Sequence, residues 1–426
     1  MIYDEEKKLL TVDVKEAVAT ARRGMSTYTA HDEEEPVFSD LRLPEGYSRE
    51  TTVLLSRELE VSGISFRIAG KAISYDNDTL TVIFAVPSVR EIKKKETEKQ
   101  ARGEAFMLGA MALQRGGSAE DTLKIKIVYA AEDTRETVST EETVTRSKLY
   151  SFFDKCAESL TETGRAEIER VTKRLPSMKE VKFPYGKTRG GQDEFIRAAY
   201  RAISKGSRLY AAAPTGTGKT VSAIFPAIRA LGNRKCDKVF YLTPKQTTAL
   251  AAQECIELLT KSGANIRAIT LVAKDRICKI GSVCKESKKL CPTFASGKMT
   301  EAVMALFDKH IPAVTPADVS SVAEEFKVCP YELSLTYSEL CDVIICDFNY
   351  LFDPQVYIRR FFTRYGSYAF LIDEAHNLGE RAREMYSAEI SLEEITSTEL
   401  LGELSLLKKA GSCLLFQGFL PSPQTV

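Results

Sequence analysis

Two short motifs constrain this chain more than any other feature. Residues 213–220 read APTGTGKT, and residues 371–376 read LIDEAH. In a phosphate-binding loop the glycines let backbone N–H groups surround the phosphates, the lysine reaches the β- and γ-phosphates, and the following hydroxyl holds Mg²⁺. The loop here opens with Ala213 instead of the glycine of the usual pattern. Together the two motifs predict an ATP-hydrolysing site.

Individual residues of these motifs have predicted roles. Asp373 ends the apolar run YAFLID, which is typical of a buried parallel strand that delivers a carboxylate to Mg²⁺. Glu374 stands beside it and is expected to orient the attacking water. The expected catalytic residues are Lys219, Asp373, Glu374 and His376, and the expected Mg²⁺ ligands are Thr220 and Asp373. The expected ATP-binding residues are Ala213, Pro214, Thr215, Gly216, Thr217, Gly218, Lys219 and Thr220.

Four cysteines lie between the two motifs. Cys278, Cys284 and Cys291 are closely spaced, and Cys329 follows in KVCPYEL. In a reducing compartment, grouped thiols ligate metal more often than they form disulfides. Four thiolates from an irregular loop suit an iron–sulfur cubane, and zinc with four thiolates is the alternative, although the spacing is not the paired C-x₂-C of a zinc ribbon. The other cysteines lie mostly in apolar contexts typical of small core residues: Cys156, Cys236, Cys255, Cys341, Cys346 and Cys413.

These motifs, with the strand-like run CDVIICDFNYLF ahead of D-E-A-H, resemble the DinG/XPD-type iron–sulfur DNA helicases of superfamily 2 over roughly residues 183–390. The resemblance implies a [4Fe–4S] cluster on the four cysteines just named. It also implies a motor that moves 5′ to 3′ on single-stranded DNA. Gln192, in RGGQDEFI, would by the same resemblance read the adenine edge of ATP; an ordinary residue at a helix start is the alternative.

The charge balance restricts DNA binding to local patches. Lys+Arg and Asp+Glu number 59 each, so no global positive field attracts nucleic acid. One candidate patch surrounds the cysteines and consists of Lys274, Arg276, Lys279, Lys285, Lys288 and Lys289. Such a charge run is often only a solvated face, but its position on the metal loop favours phosphate contact.

A second candidate for DNA contact is the helix start at 243–248, which matches the family's motif Ia. Hydroxyl and amide groups at a helix N-terminus can hold a phosphate, and a simple helix cap is the alternative. From both candidates, the expected DNA contacts are Thr243, Lys245, Thr247, Arg276 and Lys279.

The hydrophobic pattern predicts an α/β chain with several regions. The predicted motor is a RecA-like P-loop domain with a parallel sheet, in which RLYAAAP is the strand that leads into the loop, TVSAIFPAIRALG the helix behind it, and KVFYLTP the next buried strand. The predicted divisions are a degenerate nuclease-like unit at 1–150 with one helix at roughly 94–114, a polar, helix-prone connector at 151–182, the RecA-like domain at 183–390 with an iron–sulfur insertion at about 275–335, and the truncated start of an arch-like helical insertion at 391–426.

The order strand–strand–strand–helix–strand in residues 1–150 resembles the PD-(D/E)XK nuclease fold, which some DinG-like helicases carry. Those nucleases hold Mg²⁺ with two carboxylates and use a lysine beside them. Here Ile73 stands where the acid belongs, and Ala85 and Pro87 where E-x-K belongs. The nearby sequence at 91–93 reads E-I-K but lies in a run of charge typical of a solvated helix start. We expect a degenerate module that docks DNA or protein and cleaves no DNA.

No run approaches the about 18 apolar residues of a membrane helix, and the acidic start MIYDEEKK is not a signal peptide. A cytoplasmic protein without membrane contact is expected. The predicted function is the ATPase half of an ATP-dependent 5′–3′ DNA helicase in repair or replication, with ATP, Mg²⁺ and the cluster as cofactors. The expected partners are single-stranded or forked DNA and a separately encoded second helicase half. The alternatives are a non-motor, ATP-gated DNA-binding or scaffold protein, and an unrelated P-loop enzyme with a zinc site.

Overall fold

The structure is a computed structural model. It describes residues 1–23, 53–76, 78–86, 88–116, 121–131, 133–214, 216–244, 246–278, 298–354, 356–362 and 366–387. Within these ranges the chain forms two α/β units, joined by helices at 146–180. None of the described helices is both long and apolar enough to cross a bilayer.

The N-terminal unit contains two mixed sheets of four strands each. Its strands are β1 (Ile2–Asp4), β2 (Leu9–Asp13), β3 (Val53–Val61), β4 (Ile64–Ala72), β5 (Ser74–Asp76), β6 (Thr79–Val86), β7 (Thr122–Ala131) and β8 (Thr137–Thr145). One sheet has the order β1-β2-β4-β3, in which β2 and β4 are parallel. The other has the order β5-β6-β7-β8, in which β6 and β7 are parallel.

The helices of this unit pack between the sheets and close one core. They are α1 (Val14–Arg23), α2 (Val89–Ile92) and α3 (Lys95–Gly116). Leu10 and Phe66 from one sheet and Leu123 from the other are completely buried in that core. The predicted order strand–strand–strand–helix–strand is present as β3, β4, β6, α3 and β7, and the helix predicted at roughly 94–114 corresponds to α3.

The predicted connector is helical but is not a separate polar linker. It consists of α4 (Arg146–Ser159), α5 (Thr161–Glu169), a π-helical turn (Arg170–Arg174) and α6 (Leu175–Glu180). Phe153 of α4 is buried in the N-terminal core, and Met178 of α6 is buried in the core of the second unit. A Cβ added to Gly164 of α5 would lie 2.9 Å from the Phe66 ring, so this helix needs glycine to pack so closely. The connector therefore belongs to both units.

The second unit is built on one parallel sheet. Its strands are β9 (Lys238–Leu242), β10 (Ala268–Thr270), β11 (Ala313–Val314), β12 (Val343–Cys346) and β13 (Tyr368–Ile372), in the order β11-β10-β12-β9-β13. Every residue of β9 and β12 is buried, as is typical of strands with helices on both faces. The sequence prediction of a parallel α/β sheet is confirmed for this unit.

Helices cover both faces of this sheet. They are α7 (Gln192–Lys205), α8 (Lys219–Gly232), α9 (Gln246–Lys261), α10 (Lys274–Ile277), α11 (Met299–Asp308), α12 (Pro316–Phe326), α13 (Pro330–Ser338), α14 (Asn349–Phe352), α15 (Arg359–Phe362) and α16 (Leu378–Met385). The helix and strand predicted after the phosphate-binding loop correspond to α8 and β9 and are confirmed. A 3₁₀ turn (Ala375–Asn377) follows β13.

One strand prediction is wrong. The sequence RLYAAAP was expected to form the strand that leads into the phosphate-binding loop, but residues 207–214 form no strand. Tyr210 is 88% exposed in this segment, and β13 pairs only with β9 among the described strands. The three alanines of this segment offer little apolar surface to offset the entropy lost on ordering a strand.

A cluster of buried charges joins the connector to the start of the sheet. The Arg174 guanidinium donates to the Asp342 carboxylate at 2.5 Å, and both side chains are 1% exposed. Arg170 lies 3.8 Å from the other oxygen of Asp342. Lys238, the first residue of β9, donates to the backbone oxygens of Glu339 and Cys341, and burial lowers its pKa to about 8. The connector is thus fixed by charge pairing as well as by apolar packing.

Replacing Asp342 with asparagine is expected to destabilise the protein strongly. The substitution leaves the Arg174 charge buried without its partner, and breaking such a pair costs about 3–5 kcal/mol. Urea denaturation measures the free energy of unfolding. The exposed carboxylate of Glu325 on α12 provides the control; Glu325→Gln should change the free energy of unfolding by less than about 0.5 kcal/mol. Equal stability of Asp342→Asn and the wild type would contradict a structural role for the pair.

Candidate active site

The phosphate-binding loop lies between α7 and the first turn of α8. Gly216 and Gly218 both have a φ of +79°, in the left-handed region that favours glycine. Gly218 is the N-cap of α8, a helix of 14 residues that begins at Lys219. The Thr217 hydroxyl donates to the backbone oxygen of Pro214 at 2.8 Å and so closes the loop on itself. This arrangement presents the N–H groups and the positive dipole end of a helix, which together bind anions.

The remaining predicted loop residues surround this helix start. Lys219 and Thr220 form the first turn of α8, and both are partly exposed. Ala213 is partly buried at the opening of the loop. Thr215 lies outside the described residues.

Gln192 and Arg189, which precede the loop in the sequence, both donate hydrogen bonds to its backbone. The Gln192 side chain is buried at the start of α7 and donates to the backbone oxygen of Thr217 at 3.1 Å. Its oxygen accepts from the backbone N–H of Arg189 at 2.9 Å, and the Arg189 guanidinium donates to the backbone oxygen of Gly216 at 2.7 Å. A Cβ on Gly218 would lie 2.5 Å from the Gln192 amide nitrogen. Gln192 therefore supports the loop; whether it also reads adenine stays a prediction.

The D-E-A-H residues stand directly after β13. The backbone N–H of Asp373 donates to Leu242 at the end of β9 at 2.9 Å, which continues the pairing of the two strands. Glu374 has a φ of +51°, an unusual value for a residue with a side chain and one often found at functional sites. Its carboxylate lies 3.9 Å from the Lys219 ammonium and 3.5 Å from the ring of His376, which is 72% exposed. The structure therefore brings the two motifs into contact.

Sequence reasoning missed a further residue of this site, Tyr241. Its hydroxyl donates to the Asp373 carboxylate at 2.8 Å, and Thr220 is a second hydrogen-bond partner of the same phenol. Burial, with the neighbouring charge of Asp373, raises the pKa of Tyr241, so the phenol stays protonated and can donate. The signal in the sequence is a single hydroxyl-bearing side chain in the otherwise apolar part of KVFYL.

The similarity to known proteins lies in the part of the chain that carries these motifs. A DEAD_2 family model matches residues 245–395, and a DEAD/DEAH box helicase model matches residues 191–293. A regulator of telomere elongation helicase 1 homolog from Anopheles gambiae is 26% identical over 163 residues. The general transcription and DNA repair factor IIH helicase subunit XPD/RAD3 of Saccharomyces cerevisiae is 23% identical over 244 residues. The predicted resemblance to the DinG/XPD-type superfamily 2 helicases is confirmed for residues 191–395.

The matches span only part of these helicases. The Anopheles alignment covers 35% of this chain and 16% of its relative, and the yeast alignment covers 50% and 31%. A solved structure of an XPD helicase has a TM-score of 0.32 and 20% identity, over 47% of this chain and 34% of that one. A TM-score of that size is too low to support an argument.

Two of the four cysteines that were expected to bind an iron–sulfur cluster are described. Cys278 follows α10, and Cys329 is the N-cap of α13, two helices that contact each other. Burial raises the pKa of the Cys329 thiol, while backbone N–H groups of Glu332 and Tyr331 donate to the sulfur and oppose that rise. Such N–H groups stabilise a thiolate ligand. Cys284 and Cys291 lie outside the described residues, and no group of three or more metal-binding side chains occurs among the residues that are described.

The remaining described cysteines are buried, as the apolar contexts predict. They are Cys156, Cys236, Cys255, Cys341 and Cys346. Burial raises the pKa of each of these thiols, which favours their protonated form.

The expected DNA contacts are described only in part. Thr243 is buried, and its hydroxyl forms a hydrogen bond with that of Thr248 at the start of α9 instead of facing solvent. Arg276 is exposed on α10 next to Cys278. Lys245 and Lys279, together with the side chain of Thr247, lie outside the described residues.

Replacing Gln192 with alanine is expected to weaken nucleotide binding about tenfold, because the loop loses a hydrogen bond from a buried side chain. Titration with a fluorescent ATP analogue and with inorganic tripolyphosphate measures the effect. An equal loss for both ligands is expected for a residue that supports the loop, whereas a loss confined to the adenine nucleotide indicates contact with the base. Glu194→Gln, at an exposed neighbouring position on α7, is the control. Unchanged affinity for both ligands would contradict either role.

Proposed function

We propose that this chain carries the ATPase half of a DNA helicase that moves 5′ to 3′ on single-stranded DNA during repair or replication. The observation that supports it most is the approach of Lys219 to Glu374, 3.9 Å apart. The two residues come from motifs far apart in the sequence, and they meet where the parallel strands β9 and β13 end. Ligands of open parallel sheets bind at that edge.

The described side chains support specific roles in hydrolysis. The N–H groups at the start of α8 and the Lys219 ammonium neutralise the β- and γ-phosphates. Thr220 and Asp373 have the oxygen donors that Mg²⁺ prefers and would hold it; a bound Mg²⁺ would neutralise developing charge on the phosphate oxygens. Glu374 orients the attacking water, and its ion pair with Lys219 must open before that lysine can bind phosphate. The ring of His376 lies 3.5 Å from the Glu374 carboxylate and can influence its orientation.

Two substitutions separate binding from hydrolysis. Lys219→Ala should weaken binding of Mg·ATP at least about tenfold, since a charge-assisted contact to phosphate is lost. Glu374→Gln should retain binding and lower the hydrolysis rate about 100-fold or more, as expected for loss of a group that handles the water. Glu380→Gln, on the exposed start of α16, is the control. Phosphate release and nucleotide titration are the measurements, and full hydrolysis by Glu374→Gln would contradict the assignment.

We propose that the chain also moves on DNA. Two observations support this: the similarity to helicases, and the exposed Arg276 beside Cys278. We also propose that strand separation needs a second motor domain to close on the nucleotide, supplied in the same polypeptide or by a partner. Nucleotide-dependent binding of single-stranded DNA without DNA-stimulated hydrolysis, in the presence of such a domain, would favour the non-motor alternative.

We propose that a [4Fe–4S] cluster is held by Cys278, Cys284, Cys291 and Cys329. The support is the paired position of Cys278 and Cys329 on contacting helices, with N–H groups directed at the sulfur of Cys329. A bound cluster would tie these helices together and serve a structural role next to the proposed DNA path.

Protein purified without oxygen should be brown and contain about four iron atoms per chain. Cys329→Ser should lose the visible absorbance and most of the iron, because one thiolate ligand is missing. Cys255→Ser, which alters a buried cysteine of α9, should keep both. Iron content and the visible spectrum are the measurements. A colourless wild type with one stoichiometric zinc would overturn the cluster and favour the zinc site.

For the N-terminal unit we propose a degenerate nuclease-like module that docks DNA or protein. Ile73 is buried in an apolar cluster with Ile83, Val128 and Ala130, which offers no carboxylate for a metal. Glu91 lies on the short helix α2, and its carboxylate pairs with Lys94. These surroundings support the expected loss of Mg²⁺-dependent cleavage.

A further inference from the structure

The phenol of Tyr241 links the two proposed Mg²⁺ ligands, which come from different motifs. Its hydroxyl donates to Oδ2 of Asp373 at 2.8 Å, and the Thr220 side chain is hydrogen-bonded to the same phenol. Oδ1 of Asp373 accepts from the backbone N–H of Glu374 at 3.0 Å. Each oxygen of the Asp373 carboxylate therefore has one donor, and together these donors determine the orientation of the carboxylate.

The position of Tyr241 follows from strand register. Tyr241 pairs with Leu371 and Leu242 with Ile372, so Tyr241 lies two residues short of Asp373 on the neighbouring strand. Its side chain belongs to the core on the α8 side of the sheet, whereas that of Phe240 belongs to the core on the opposite side. Only the α8 side contains Thr220, in the first turn of that helix. A tyrosine at position 241 can therefore contact both motifs.

A purely structural role would not need the hydroxyl. Tyr241 is 2% exposed, and phenylalanine would fill the same volume without having to satisfy a buried polar group. Among the described residues, the partners of the hydroxyl both belong to the nucleotide site. Since the strength of a hydrogen bond to a charged carboxylate exceeds that of a neutral one, this contact restrains Asp373 more than packing alone.

We propose that Tyr241 is a positioning residue, which holds the Asp373 carboxylate in the orientation that binds the Mg²⁺ of Mg·ATP. The inference rests on the proposed ATPase function. In this proposal Tyr241, the penultimate residue of β9, affects the affinity for Mg²⁺. The phosphates are bound by the loop and Lys219. Nucleotide binding in the absence of Mg²⁺ should therefore be independent of the hydroxyl.

The test is Tyr241→Phe, assayed by titration of a fluorescent ATP analogue at a series of free Mg²⁺ concentrations. In EDTA the variant should bind as the wild type does. With Mg²⁺, the concentration that gives half of the Mg²⁺-dependent gain in affinity should rise about tenfold, as expected for loss of one hydrogen bond to a charged group. Saturating Mg²⁺ should restore the wild-type affinity, and Tyr129→Phe, a buried tyrosine of β7, should change nothing.

A double-mutant cycle with Asp373→Ala separates positioning from general destabilisation. If Tyr241 acts through Asp373, Tyr241→Phe lowers nucleotide affinity at a fixed, subsaturating Mg²⁺ concentration in the wild-type background but not in the Asp373→Ala background, whereas independent destabilisation lowers it in both. Thermal unfolding of each variant without ligand accompanies the cycle. A Tyr241→Phe titration that overlays the wild type while Asp373→Ala shows no Mg²⁺ response, or additive effects in the cycle, would overturn the proposal. A wild type without any Mg²⁺-dependent gain would instead contradict the proposed ATPase function.

Discussion

The pairing of β9 with β12 and β13 is the constraint on which the rest of this structure depends. Because β9 is completely buried in the middle of a parallel sheet, its register decides which residues meet at each end. At its end, Tyr241 comes next to Asp373 and the first turn of α8. At its beginning, Lys238 reaches the backbone oxygens that precede β12. A shift by one residue would turn both side chains to the opposite face.

The buried charges at the start of the sheet are not explained by stability alone, since a buried ion pair seldom stabilises a protein more than apolar residues of the same volume. Arg174 and Asp342 are 168 residues apart in the sequence and meet through a π-helical turn. Both Arg170 and Arg174 contact Asp342, so the buried charges fix the position of the connector at the start of the sheet.

The sequence predicts the elements that a local residue pattern specifies. It does not predict features that depend on contact with a residue far away in the chain. Continuous apolar runs predicted β9, β12 and β13, and the motifs predicted that Lys219 and Glu374 would meet. RLYAAAP forms no strand although β13 leaves an edge open beside it among the described strands, since its three alanines offer little apolar surface. The roles of Tyr241 and Arg174 depend on register and on contacts far apart in the chain, which residue spacing does not encode.

The position of the connector also limits how the N-terminal unit can influence the motor. Parallel strands gather their beginnings at one edge of the sheet and their ends at the other. Arg234, in the turn before β9, pairs with Glu5 at 2.9 Å, and Asp308, ahead of β11, pairs with Arg165 of the connector at 3.0 Å. Both contacts lie at the edge where strands begin, whereas the nucleotide site lies where they end. An effect of the N-terminal unit on ATP has to cross from one edge of the sheet to the other. Both β9 and α8 span that distance, and α8 begins at Lys219 in the nucleotide site and ends at Gly232, next to Arg234.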